Sequence, residues 1–454
     1  SIYCGLMILL ASCNNYLDVK PKGKIIPETA EDFSTIIHYW LDQIEKGRDD
    51  VIIPNPEVMT TLEMFADDLN ATLASNFGYT SIYVGSAINK NQATYKTLYS
   101  VIKDCNMVIG NMDDTESDLA RTLLGTAWSI RSICYYNLMQ RYCEPYQPET
   151  AKETLGLPLV DDFDMEAKPA RANLKETAEF IEEGFRKALS YNVSNEDFIF
   201  TSSVTKAYFA RFFFWTQNWS SAITYAKEVL EKYPMLEADE YVEAINQKQA
   251  KAHNVIIRSF TMDDDIGTMS YATAQADIKS RPVDRNLVDL FAATDNDVRR
   301  KCNYDSKRIV NKIITTKFRS EELCLIIAEA HAHLNQETDA LGYLNQLRSK
   351  RITQDYIAYT IDNLPEVFQQ NIKTDATGIP LTKLMSAILC ERRKELFVEG
   401  DRWFELKRNG RPEFWVAAKG KKFITEKYLY TFPIPKADIR LFPDLLIQNP
   451  GYIE

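Results

Sequence analysis

The sequence has few histidines and none of the motifs on which most catalytic or phosphate-binding sites depend. Four histidines occur in 454 residues, and two of them, His331 and His333, are two positions apart, which puts them on opposite sides of a helix. No H-E-x-x-H, G-x-S-x-G, glycine-rich phosphate loop or dinucleotide fingerprint is present. We therefore expect a protein that is not an enzyme. A catalytic pair of carboxylates for glycoside hydrolysis stays open as an alternative, because such a pair is recognised by its separation in space and not by its spacing in the sequence.

Paired cysteines and a basic stripe are also lacking. The eight cysteines include no C-x-x-C pair, which argues against a zinc ribbon or a thioredoxin-type redox site. Several cysteines lie in helical apolar patterns such as SVIKDCNMVIG, where a buried thiol behaves as a small hydrophobic group. The net charge is −11, and without a basic stripe we expect no binding of nucleic acid.

Metal-ligand clusters are nearly absent. One exception is the run Asp263, Asp264 and Asp265 followed by Gly267, since calcium prefers clustered oxygen ligands on a bend. A solvated loop tip is the alternative interpretation. We expect no cofactor, and a structural calcium at this run is the one candidate ion.

No apolar run reaches 18 residues. The first ten or so residues are mostly apolar and lead to Leu10, Ala11, Ser12 and Cys13. This run is shorter than the roughly 20 residues that span a bilayer, but it suits a signal peptide. Small residues before a cysteine resemble a bacterial lipobox, in which the thiol receives lipid. We therefore predict that residues 1–13 are a signal-peptide remnant and that Cys13 is the lipidation site, which would anchor the protein to a membrane; a chance apolar strand is the alternative.

Helical periodicity dominates the remainder of the chain. NQATYKTLYSVIKDCNMVIGNM, DLARTLLGTAWSIRSICYYNLMQRY and NLKETAEFIEEGFRKALSYN predict three helices, the first two forming a hairpin. Small residues then recur twelve apart, at Ala210 and Ala222 before Pro234, and again at Ala328 and Ala340. This spacing is typical of tetratricopeptide repeats, in which small residues let two helices approach closely. The fold class predicted is mainly α, with tetratricopeptide-like helix pairs, long irregular loop insertions and few short strands.

Two long stretches lack an obvious helical period. One runs from about 237 to 316 and contains a predicted strand, NVIIRSF, followed by polar, irregular sequence. The other is residues 55–89. Loops of this length inside a compact domain are usually functional.

The segment LCERRKELFVEGDRWFELKRNG, residues 389–410, contains eleven charged residues. The apolar residues Leu389, Leu396 and Phe397, together with the preceding Ile388, predict a helix with a buried stripe. We expect Gly400 to be left-handed at the end of this helix and Asp401 to cap a second helix. Charge-assisted hydrogen bonds would stabilise the corner, with Arg392 able to pair locally with Glu395.

This segment resembles the C-terminal signature of the SusD/RagB family of nutrient-binding outer-membrane lipoproteins from Bacteroidetes. Further segments are similar in the same order between Cys13 and Tyr452, namely CNNYLDVKP, TLYSVIKDCNMVI, GTAWSIRSICYYNLMQRY with GLPLV, AEAHAHLNQETDALGYLNQLRSKR, FPIPKADI and QNPGY. The resemblance implies a helical N-terminal region over 14–236 and a C-terminal region over 237–454, in one compact unit. It also implies a lipid-anchored, cell-surface protein of the outer membrane. Such a protein would bind oligosaccharides without catalysis and deliver them to a SusC-like TonB-dependent transporter. Binding of peptides or another nutrient, and a role mainly as the transporter's lid, are the alternatives.

The binding loops contain no family motif, so candidate ligand residues are chosen by position and composition. Phe77, Tyr79 and Tyr83 lie before the first clear helix, and Tyr271 and Arg281 lie in the central insertion. Aromatic rings stack on the apolar faces of sugars, and polar groups bind their hydroxyls. Ordinary loop packing is the alternative for each tyrosine.

Overall fold

A computed structural model describes residues 27–48, 51–75, 82–87, 92–162, 169–247, 251–258, 265–291, 296–314 and 317–452, except for the side chains of 87, 92 and 265–270. Cys13, Phe77, Tyr79 and the aspartate side chains at 263–265 are outside this description. In the described part, no helix is long and apolar enough to cross a membrane.

Helices form most of the described structure. The first half contains α1 (Ala30–Glu45), α2 (Pro56–Phe65), α3 (Val84–Ala87), α4 (Gln92–Asn111), α5 (Asp118–Tyr142), α6 (Leu174–Ser190), α7 (Ser202–Trp215) and α8 (Trp219–Lys232). The second half contains α9 (Ala238–Ile245), α10 (Asp265–Lys279), α11 (Arg285–Val288), α12 (Val298–Asn303), α13 (Ser320–His333), α14 (Glu337–Ser349), α15 (Lys383–Glu395), α16 (Asp401–Arg408) and α17 (Lys436–Leu441).

The strands are short and form two-stranded antiparallel sheets. They are β1 (Leu155–Pro158) with β2 (Arg171–Asn173), β3 (Val255–Arg258) with β4 (Lys317–Arg319), and β5 (Phe414–Ala418) with β6 (Lys421–Thr425). The predicted mainly α fold with few short strands is confirmed, as is the strand expected within NVIIRSF.

The first helical hairpin forms as its periodicity predicts. On α4 the residues Tyr95, Leu98, Ile102 and Cys105 recur at intervals of three or four and are buried against α5. The side chain of Ser117 caps α5 by accepting a hydrogen bond from the amide of Ala120, which satisfies a donor that has no partner inside the helix.

The two predicted repeat pairs are α7 with α8 and α13 with α14. Ala210 and Ala222 in the first pair, and Ala328 and Ala340 in the second, are completely buried. Their small side chains permit the close contact between the helices of each pair. The helices α8 and α13 also pack together, which joins the two pairs into one scaffold.

The expectation of irregular structure at 237–316 and at 55–89 is wrong for much of these stretches. The first contains α9 to α12, and the second contains α2 and α3. Helix α10 packs on α2 through Tyr271, Ala274 and Ile278. These three residues do keep helical spacing. Ala274 is small and the residues between the three are mostly small or polar, so the apolar face is difficult to recognise in the sequence.

The charged segment folds as a helix, a corner and a second helix, as predicted. The stripe of Ile388, Leu389, Leu396 and Phe397 is buried. Gly400 is left-handed, with φ of +75°, and it is the N-cap residue of α16. Glycine has no side chain that could accept a hydrogen bond from the first amides of this helix. Asp401 was therefore wrongly expected to be the cap.

The carboxylate of Asp401 is instead bound by Arg392, with Nε and Nη2 at 2.9 and 2.6 Å from its two oxygens. This ion pair confirms that charge-assisted hydrogen bonds stabilise the corner. The expected local pair of Arg392 with Glu395 is wrong, because Glu395 pairs with arginines from other elements, Arg299, Arg319 and Arg351. Although burial favours the neutral acid, these guanidinium groups hold the pKa of Glu395 well below its usual range.

Candidate functional site

The clearest candidate site lies on the β5–β6 hairpin. Lys419 and Gly420 connect the strands in a two-residue turn, with φ of +51° and +74°. Positive φ at both residues is what a turn needs in order to match the twist of the two strands. The register pairs Trp415 with Ile424 and Ala417 with Lys422. Because side chains alternate along a strand, these four residues share one surface, which we call the hairpin face.

The hairpin face exposes a large aromatic ring. Trp415 is 58% exposed and Ile424 opposite it is 46% exposed. The chain has six tryptophans, all within the described ranges, and the other five are buried or half-buried. The Nζ of Lys422 lies 4.8 Å from the centroid of the Trp415 ring. Exposed apolar groups placed together on regular structure are typical of a binding surface.

The opposite side of the hairpin fixes it to the protein. The ring of Phe423 packs on that of Tyr83, with centroids 5.2 Å apart, and Ala418 and Thr425 are buried. The amide of Ala417 donates a hydrogen bond to Thr72 Oγ1 at 3.2 Å. The hairpin face is therefore presented from a supported strand pair, which limits the entropy lost when a ligand binds.

Of the candidate residues chosen from sequence, the structure brings Tyr83 into the support of the hairpin. Its half-buried ring contacts Phe423, and its carbonyl accepts a hydrogen bond from Ser86 Oγ at 2.7 Å. Phe77 and Tyr79 lie outside the described residues, so their part in binding stays a prediction.

Tyr271 and Arg281 lie in the core instead of on an open loop. Tyr271 is 7% exposed and packs with residues of α2, and Arg281 is 2% exposed. Arg281 Nη1 donates to the carbonyl of Met64 at 3.0 Å, and burial lowers the pKa of its guanidinium to about 10. In this structure their side chains stabilise the contact between α2 and α10, and ligand binding by them stays a prediction.

A concave region lies between α5, α7 and the corner before α16. It encloses about 960 Å³, including the part open to solvent. Most of its charged side chains pair with one another across elements. Arg211, for example, donates from Nε and Nη2 to the two carboxylate oxygens of Glu322 at 2.8 and 2.5 Å. Burial favours the neutral acid, but Arg211 holds the pKa of Glu322 below its usual value. We interpret this cleft as ion-paired scaffold.

The histidine pair does not form a metal site. His331 Nδ1 lies 2.6 Å from Gln336 Oε1, whereas the ring of His333 stacks on Trp219 at a centroid distance of 4.0 Å. Within the described ranges no group of three or more histidine, cysteine, aspartate or glutamate residues is arranged to hold a metal ion. The calcium candidate at Asp263, Asp264 and Asp265 stays untested, because these side chains are outside the description.

Sequence reasoning missed Trp415. The available signal was the alternation of FWVAA and KKFIT around Lys419 and Gly420, which is typical of a hairpin. That pattern would predict the strands, but it does not say which face of them is left uncovered.

Taken together, the paired helices, the uncovered hairpin and the ion-paired corner define a tetratricopeptide-like helical scaffold of the type found in binding proteins. Two family models match the chain: the SusD family at residues 298–452, and a SusD-like family described as starch-binding associating with outer membrane at residues 15–214. The protein belongs to the SusD family.

One curated relative has sequence similarity to this chain, and several solved structures share its fold. SusD-like protein P38 of Formosa agariphila is 34% identical over 94 residues, which are 21% of this chain and 16% of that protein. The match thus spans about a sixth of the relative's length. A SusD superfamily structure from Bacteroides vulgatus has a TM-score of 0.73 at 18% identity and covers 94% of this chain and 100% of its own. One from Bacteroides thetaiotaomicron has a TM-score of 0.72 at 18% identity, covering 93% and 100%. A laminarin-binding SusD-like protein has a TM-score of 0.62 at 16% identity, covering 93% and 99%.

Proposed function

We propose that this protein binds oligosaccharides without catalysis at the cell surface and delivers them to a SusC-like TonB-dependent transporter. The observation that carries the proposal is the exposed ring of Trp415 on a supported hairpin. An indole ring covers the apolar face of a sugar, and such stacking contributes more than the area buried alone. The description of the matched family as starch-binding and the laminarin-binding relative support a carbohydrate ligand.

The remaining candidate residues have distinct parts in this proposal. Phe77 and Tyr79 would supply further rings, and Tyr83 would hold the hairpin through Phe423. Tyr271 and Arg281, from their places between α2 and α10, would keep the neighbouring backbone in position. A lipid on Cys13 would keep the protein at the outer membrane, beside the transporter.

Affinity electrophoresis of the purified protein through gels that contain polysaccharides tests the ligand class. The panel would include laminarin, starch, dextran, polygalacturonate and chondroitin sulfate. We expect at least one polysaccharide to retard the protein, and we expect chromatography to show that its oligosaccharides are not shortened during incubation. Release of shorter products would contradict a non-catalytic role. Retardation by none, with calorimetric binding of a casein peptide digest, would favour the peptide alternative.

Two further experiments test the anchor and the transporter. Metabolic labelling of the full precursor with an alkyne-bearing palmitate analogue should modify the wild type but not Cys13→Ala. Affinity purification of the tagged, full-length protein from detergent-solubilised outer membranes should recover a TonB-dependent transporter. An unlabelled wild type, or recovery without any transporter, would contradict the corresponding part of the proposal.

A further inference from the structure

Charge is distributed unevenly along the hairpin. Lys419, Lys421 and Lys422 are exposed at its tip, although the chain as a whole has a net charge of −11. The exposed acids of this region, Glu413 and Glu426, lie at the other end, where the strands leave the hairpin. Glu413 Oε1 accepts a hydrogen bond from the backbone amide of Lys427 at 3.3 Å, which keeps this carboxylate near the base.

The ammonium groups of Lys421 and Lys422 are available to a ligand. Within the described ranges, no carboxylate forms an ion pair with Lys421 or Lys422. The ammonium of Lys422 lies 4.8 Å from the centre of the Trp415 ring, on the same face. Its contact with the ring is a cation–π interaction, which is weak at an exposed site. An acidic group of a sugar stacked on Trp415 would therefore lie within reach of this ammonium and could replace that contact with an ion pair.

The indole N–H of Trp415 is the one neutral hydrogen-bonding group among the side chains of the hairpin face. The four residues of the hairpin face are Trp415, Ala417, Lys422 and Ile424, and none has an amide, hydroxyl or carboxylate side chain. A site for neutral sugars uses such groups to bind hydroxyls. The hairpin face provides apolar contact and positive charge, and the acidic remainder of the protein repels anions, so that an anionic polymer is directed to this tip.

We infer that the hairpin face selects anionic glycans, with uronate carboxylates or sulfate esters near the sugar that stacks on Trp415. The inference rests on the proposed function and adds the chemical class of the ligand. The carboxylate or sulfate group would lie toward Lys422, with Lys421 adding positive charge at the tip from the neighbouring position, and the uncharged face of the sugar ring would lie on the indole.

The test compares anionic and neutral polysaccharides on the intact protein and three variants. The anionic probes are polygalacturonate and chondroitin sulfate, and the neutral ones are laminarin and dextran. The variants are Trp415→Ala, the double variant Lys421→Gln with Lys422→Gln, and a control that removes the same charge elsewhere, Lys103→Gln with Lys152→Gln. Both control lysines are exposed. Thermal melting of each variant verifies that it is folded.

We expect an anionic polysaccharide to bind the wild type at least about tenfold more tightly than either neutral one, and this binding to weaken as sodium chloride screens the charges. The tip double variant should lose most of that preference, and the control should keep it. Two results would overturn the inference and leave the proposed function intact. One is tighter binding of a neutral polysaccharide that still requires Trp415, and the other is binding of an anionic polysaccharide that the tip double variant does not weaken. Binding of no polysaccharide would overturn both.

Discussion

Arg408 on α16 binds Glu329 on α13 through two parallel hydrogen bonds, from Nη1 to Oε1 and from Nη2 to Oε2, each 2.6 Å long. Both side chains are buried. Arg408 Nε also donates to Glu405 at 2.6 Å. The pair of Arg408 with Glu329 connects α13 of the second repeat pair to α16, the helix after the charged corner, so that the corner segment is part of the scaffold.

Glu329→Gln should therefore destabilise the protein strongly. The substitution keeps the shape of the side chain but removes the charge that faces Arg408. Because Glu405 still pairs with this guanidinium, we expect a loss of about 2–3 kcal/mol, which is the cost of a charge-assisted hydrogen bond and not of an unpaired buried charge. Urea unfolding gives the free energy directly. The control is Glu182→Gln, which removes an exposed pair with Arg186, and such pairs contribute about 1 kcal/mol or less. Equal losses in the two variants would contradict the structural role of Glu329.

Glu63→Gln should change how stability depends on pH. Oε1 of Glu63 accepts the amide of Gly400 at 2.7 Å. Burial, followed by the nearby charge of Asp68, raises the pKa of Glu63 from its ordinary value of 4.5 to about 8. Between these values the folded state keeps a proton that the unfolded state releases, so this residue lowers the stability as the pH rises toward 8.

Gln does not titrate, so the variant should lack this loss. Between pH 5 and pH 8.5 the unfolding free energy of the variant should therefore rise relative to that of the wild type. The rise should be at most about 1.4 kcal/mol for each unit by which the pKa of Glu63 is shifted. Urea unfolding at the two pH values measures it. A difference that stays constant over this range would show that Glu63 is ionised in the folded protein.

The helical scaffold could be predicted from sequence because its signals are local. The spacing of Tyr95, Leu98 and Ile102 defines a helix face, and the distance between Ala210 and Ala222 defines a helix pair. The partners of the charged residues could not be predicted in the same way. Arg393, for example, donates to Asp68, which is 325 positions away in the chain, and no local pattern connects two such residues.

The candidate site was still harder to predict. Exposure of Trp415 depends on which side of the hairpin packs against Tyr83 and Thr72, and these residues lie more than 300 positions earlier in the sequence. Tyr271 looked like a loop residue because the apolar face of α10 is narrow. Its burial follows from the packing of α10 on α2, which is a tertiary contact.

Gly400→Ala should destabilise the corner. A Cβ at Gly400 would lie 2.7 Å from Met59 Sδ, and the φ of +75° is unfavourable for any residue with a side chain. We expect a loss of about 1–3 kcal/mol in unfolding free energy. The matched control is Gly342→Ala in the interior of α14, where a Cβ would meet nothing within 4 Å and a helix gains roughly 0.5–1 kcal/mol from alanine. Opposite signs are expected in urea unfolding, and a stabilised Gly400→Ala variant would contradict the corner geometry.

The most direct test of the proposed function is isothermal titration calorimetry of wild type, Trp415→Ala and Trp415→Tyr with oligosaccharides from the polysaccharide that retards the protein most. Tyr39→Ala is the control, because Tyr39 is also an exposed aromatic residue, at 56% against 58% for Trp415. We predict that Trp415→Ala weakens binding at least about tenfold, which corresponds to 1.4 kcal/mol, while Trp415→Tyr keeps most of the affinity and Tyr39→Ala keeps all of it. Unchanged affinity in a folded Trp415→Ala variant would contradict the assignment of the hairpin face as the carbohydrate-binding site.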